Sequence, residues 1–155
     1  MSGSIDARLA ELGITLPAAA APAANYVPYV VSGNLIFVSG QIPVLDGKIQ
    51  YTGKVGVDCE TDQAIASARL CGLNLIAQAR AACGGDLDRI KRVVKLGGFV
   101  ACSADFSDHP KVINGASDLM AEVFGDKGAH CRFAVGAPCL PLNVTTEVEG
   151  IFEIA

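Results

Sequence analysis

A chain of 155 residues suits one domain with a sizeable core. Hydrophobic residues make up 51% and mean hydropathy is +0.41, yet no apolar run reaches the roughly 18 residues that a membrane span needs. Net charge is −4, and the densest basic group, Arg89, Lys91, Arg92 and Lys95, belongs to one element, so the basic stripe that neutralises nucleic-acid phosphates is missing. An apolar excess without a membrane span points to an oligomer, whose interfaces resemble a domain core cut in half.

In chain order, the stretch from Ser4 to Gly13 reads as a short amphipathic helix. Ser4 is placed to cap it, Ile5, Leu9 and Leu12 share a face, and Gly13 stops it. The Ala/Pro stretch from Leu16 to Ala24 reads as an extended linker, so residues 1–25 form an N-terminal extension and 26–155 a single domain. Two strands, Tyr29 to Val31 and Leu35 to Gly40, flank a hairpin turn at Ser32-Gly33-Asn34. Gly47-Lys48 is a second turn, leading into a short strand at Ile49 to Tyr51.

The Pro-free segment from Thr61 to Cys83 carries Ile65, Ala68, Leu75, Ile76 and Ala79 at near-helical spacing and ends at Gly84-Gly85. Asp58, Glu60 and Asp62 suit the positive end of that helix. Ile90 to Ala101 is an apolar strand broken by Gly97-Gly98. A second helix opens at Asp108 and Pro110, with His109 as part of its start, and stops at Gly125. Cys131 to Val135 and Thr145 to Ile154 close the chain as strands. The order β-β-β-α-β-α-β-β implies an α+β fold with two helices on one face of a mixed sheet, leaving the other face apolar and open for association.

Cys59, Cys71, Cys83, Cys102, Cys131 and Cys139 contain no CxxC pair, and His109 and His130 sit at no zinc-finger spacing. With no apolar signal segment at the N-terminus, the expectation is a cytoplasmic protein with reduced, buried thiols and no metal. Cys131 and Cys139 flank the arginine strand and read as buried structural residues, and His130 as a surface-loop residue. Gly53-Lys54-Val55-Gly56 matches neither P-loop nor dinucleotide-binding spacing.

Chemistry concentrates in Tyr26 to Pro43, Cys131 to Pro141 and Val144 to Phe152. Arg132 sits among apolar neighbours, and an arginine there needs an anion. Two readings stand open: a cross-strand pair with Glu147 of no catalytic purpose, or capture of a ligand. Glu147 and Glu149 share one sheet face, while Thr146 and Val148 share the other.

These segments resemble the Rid family (reactive intermediate deaminase, also YjgF or endoribonuclease L-PSP), which has a chorismate-mutase-like fold. The resemblance rests on Ser39-Gly40-Gln41-Ile42-Pro43 ending a strand and on Arg132, Val135, Leu140, Pro141, Val144, Glu147 and Glu149 in uninterrupted register. It covers residues 26 to 155, with Asn114 to Gly125 resembling a divergent branch.

The resemblance implies that Arg132 binds a substrate carboxylate, Glu147 positions or activates water, Tyr26 and Ser39 line the pocket, and the Gly40 amide faces the ligand. It implies homotrimers with pockets between subunits, so that Tyr26 and Arg132 come from different copies. The implied reaction is hydrolysis of small 2-imino or enamino acids to 2-keto acids and ammonia, without metal or organic cofactor. Two positions depart from the family pattern: Ala134 stands where a cysteine is common, and Ser117 where an asparagine on the second helix faces the site. The loop from Phe124 to Arg132 is also shorter than in the founding group. The alternatives are a non-catalytic, metabolite-binding trimer that captures a keto acid, and a ribonuclease, which the acidic pI opposes. Chorismate mutase activity rests on fold analogy alone.

Overall fold

The computed structural model describes residues 3–21 and 24–155. Its elements are α1 (Ser4–Glu11), β1 (Tyr29–Ser32), β2 (Leu35–Gln41), β3 (Val44–Leu45), β4 (Lys48–Ile49), α2 (Thr61–Ala82), β5 (Ile90–Ala101), α3 (His109–Phe124), β6 (Cys131–Ala137) and β7 (Thr146–Ile154). Five strands form a mixed sheet in the order β1-β2-β7-β5-β6. Only β5 and β6 run parallel within it, as two strands joined through a helix can. The fold class is the α+β arrangement that the element order implied.

The third expected strand lies elsewhere. Asp46 and Gly47 both adopt positive φ, closing a two-residue turn between β3 and β4, which pair as a separate ribbon. The ribbon is held from below: Asn74 of α2, itself buried, donates to the Ile42 and Val44 carbonyls at 3.1 and 2.9 Å. That clamp fixes the chain just after β2.

The hydrophobic spacing of α2 and α3 buries Leu75 and Ile76 of the first and Val112, Ile113, Leu119 and Met120 of the second. They cover Ile36, Leu96, Val100, Val148 and Phe152 on one sheet face. The opposite face keeps Phe37 and Val135 exposed, and Phe99 meets Phe133 edge-on at 5.3 Å. Strand β5 runs unbroken through Gly97-Gly98, because it is paired on both sides and the missing β-carbons admit Phe133 on one face and Ile113 on the other.

Ser4 does not cap α1; it is the first helical residue. The cap comes from far along the chain. Asp88 accepts from the Ser4 and Ile5 amides, each at 2.9 Å, and from the Ser4 hydroxyl at 3.1 Å. Ile5 and Leu9 complete the core beneath it. The linker has no regular structure over 14–21, and its Pro22 and Ala23 lie outside the described residues. Among the described residues no helix is long and apolar enough to cross a membrane.

Candidate active site

Strand β2 carries the first half of the site at a bulge. Between the pairs Val38↔Gly150 and Gln41↔Val148, β2 advances three residues while β7 advances two. The extra residue turns Ser39 and Gly40 out of the regular ladder. Gln41 returns its side-chain amide to the Ser39 carbonyl at 2.9 Å, and the Ser39 hydroxyl donates to the Val27 carbonyl at 2.9 Å. The latter bond ties the segment carrying Tyr26 to the bulge.

Tyr26, Ser39, Gly40 and Glu147 line one cavity of about 900 Å³, walled further by the Ala/Pro linker, Ile42 and Leu142. Gly40 leaves room for the Glu147 carboxylate: a β-carbon would lie 2.7 Å from Oε2 and push that side chain aside. Burial, reinforced by the neighbouring Glu149 charge, pushes the Glu147 carboxyl above its ordinary range. A carboxylate so shifted is a better proton acceptor near neutral pH.

Arg132 belongs to a different place. Strand β5 separates β6 from β7, so the expected Arg132–Glu147 cross-strand pair cannot form. Ladder partners share a face. Arg132 lies beside Leu96, on the helix-covered side, whereas Glu147 lies beside Phe99, on the open side. On edge strand β6 the guanidinium reaches back to α3, donating to Ser117 Oγ at 3.0 Å and to the Pro110 carbonyl at 3.1 Å. Among the described residues no carboxylate lies within ion-pair distance of it. Ala134 follows on the same side, opposite Gly98 and packed against the core.

Several expectations change. His130 is no free loop residue: it is half-buried, with Ser117 Oγ at 2.8 Å from Nε2 and the Gly128 carbonyl at 2.6 Å from Nδ1. Cys131 and Cys139 are exposed rather than buried, the first on edge strand β6 and the second in the loop that follows it, while Cys71, Cys83 and Cys102 are buried. Burial pushes the Cys71 thiol up to about 12. A second depression, of about 590 Å³, holds Cys102 with its sulfur 3.4 Å from His109 Nε2. Burial raises that thiol too, so the pair lacks the thiolate character of a nucleophile.

A mixed sheet with two helices on one face is the chorismate-mutase-like class of fold, and here it carries an arginine on its edge and a Ser-Gly bulge beside a half-buried glutamate. Residues 6–153 match the family described as "YjgF/chorismate mutase-like, putative endoribonuclease". The chain belongs to that YjgF family. Protein TCP17 of Trypanosoma cruzi is 49% identical over 154 residues, covering 99% of this chain and 96% of that protein. The crystal structure of Atu1372 from Agrobacterium tumefaciens, a protein of unknown function, shares 51% identity and superimposes with a TM-score of 0.91, covering 97% of this chain and 92% of its own. E. coli TdcF, solved with bound serine, shares 26% identity at a TM-score of 0.60, covering 90% and 94%. The chain therefore sits much nearer Atu1372 than TdcF in shape as well as sequence.

Proposed function

We propose that this protein hydrolyses small 2-imino or enamino acids to 2-keto acids and ammonia, in sites shared between copies of a homotrimer. The observation that carries the reading is the separation of Arg132 from Glu147: an arginine with no carboxylate partner on one sheet face, and a cavity holding Tyr26, Ser39, Gly40 and Glu147 at another. Neither half is a site alone. A neighbouring copy that brings its Arg132 to the mouth of the cavity completes one.

In that arrangement the guanidinium fork holds the substrate carboxylate. The Gly40 amide and Ser39 face the reacting carbon, and Glu147 takes a proton from water as its oxygen bonds to that carbon. The proton passes from Glu147 to nitrogen, the C–N bond breaks as the new hydroxyl returns its remaining proton to Glu147 and becomes the carbonyl, and ammonia leaves. The demand on the protein is modest, since imines hydrolyse unaided; holding carboxylate and water together supplies proximity. The serine bound to TdcF, a small 2-amino acid, supports the substrate class.

The test uses an amino-acid oxidase to generate a 2-imino acid in situ and follows its disappearance. Wild type should accelerate the loss, and Arg132→Ala should lower kcat/KM roughly a hundredfold, about 2–3 kcal/mol for a lost charge-assisted anchor. No acceleration across several imines, with keto-acid binding retained, would replace the deaminase by a metabolite-binding trimer.

A further inference from the structure

We infer that His130 is a positioning residue for Arg132, acting through Ser117. The inference rests on the reading of Arg132 as the carboxylate anchor. Its grounds are a chain of hydrogen bonds whose direction is fixed by chemistry. The Gly128 carbonyl can only accept, so the proton on the His130 ring lies on Nδ1, 2.6 Å away. In the neutral ring Nε2 is then an acceptor, and the Ser117 hydroxyl, 2.8 Å distant, must donate to it. With its proton committed, Ser117 Oγ turns its lone pairs to Arg132 Nη1 at 3.0 Å. The sequence carbonyl, imidazole, hydroxyl, guanidinium thus has one consistent polarity from end to end.

Both ends of this chain are tied to α3. Gly128 is buried against α3, where a β-carbon would collide with the Met120 carbonyl oxygen. The turn carrying the terminal acceptor is therefore seated on the helix that also supplies Ser117. His130 immediately precedes β6 and Arg132 is the second residue of that strand, and the two side chains meet at the same Ser117 hydroxyl. The Pro110 carbonyl holds the second guanidinium nitrogen at 3.1 Å. A serine hydroxyl without a second partner rotates freely and has no fixed direction. The imidazole sets that direction, and the fork is oriented before any carboxylate arrives.

Steady-state imine hydrolysis by wild type, Arg132→Ala, Ser117→Ala, His130→Ala and His130→Gln tests this. Arg132→Ala must first lower kcat/KM by roughly the hundredfold expected above; if it does not, the anchor reading itself fails, whatever the others show. Given that loss, His130→Ala and Ser117→Ala should each raise KM about tenfold while kcat changes less than about twofold. The double variant should be no worse than either single one, because both break the same chain. His130→Gln, which offers an amide donor and acceptor, should recover most of the KM. A purely structural histidine would give a lower melting temperature with unchanged KM, and that outcome would overturn the inference. So would KM effects of His130→Ala and Ser117→Ala that multiply in the double variant.

Discussion

Glu147 shows how far one carboxylate's surroundings decide its use. It stands half-buried above Gly40 with Glu149 nearby on the same face, and both burial and like charge disfavour its ionised form. The native state therefore binds its proton more tightly than the unfolded chain. Stability falls as pH rises from the unfolded value near 4.5 through the raised folded value, and the whole penalty persists above it. Glu147→Gln removes that penalty. Its melting temperature should exceed wild type at pH 8, with the difference vanishing toward pH 4, while imine turnover falls by about 10² or more. Thermal melts of the two proteins across that range check the sign, and a variant less stable at pH 8 would show that the carboxylate is held by compensating contacts.

Among the elements, α1 depends most on a distant residue. Eight residues are too few to hold a helix in water, and Ile5 and Leu9 supply its docking. Asp88 supplies its start, and the two amide bonds it accepts, from Ile5 and then Ser4, hold its carboxyl below the ordinary range. A depressed carboxyl contributes stability that is present above the unfolded pKa and lost as pH falls through the folded one. Asp88→Ala should thus fray α1, read as faster amide exchange over residues 5–7 with little change in β5 or β7. Acidification below pH 4 should do the same to wild type; equal exchange in both proteins would mean that apolar docking alone holds the helix.

That cap also marks the boundary of what the sequence discloses. Helix and strand positions follow from local periodicity, and Gly13, Gly84 and Gly125 stop the helices where they stand in the chain. The cavity residues Tyr26, Ser39, Gly40 and Glu147 are legible through a motif that stays in register. Partners 84 residues apart leave no such trace, and neither does the lateral order of strands. Placing β5 between β6 and β7 is what divides Arg132 from Glu147, and nothing local to either strand dictates it. His130 was unreadable for a related reason. A histidine near a strand start has no periodicity to interpret until the turn at Gly128 brings it back to Ser117.

At the scale of the whole molecule, one sheet face is covered by two helices and the other leaves Phe37 and Val135 bare. In the trimer proposed above, copies packed through that open face would bury it, and closed symmetry would repeat the same junction around the ring. In the proposed trimer each junction draws its arginine from one copy and its glutamate from the next. The division has a genetic consequence: two dead alleles can rescue each other. In a co-expressed mixture of Arg132→Ala and Glu147→Gln chains, a site is intact whenever an unaltered Arg132 meets an unaltered Glu147. Random assembly makes that about a quarter of all junctions, so two inactive parents should yield about a quarter of wild-type turnover. A mixture as silent as its parents would mean that each copy works alone.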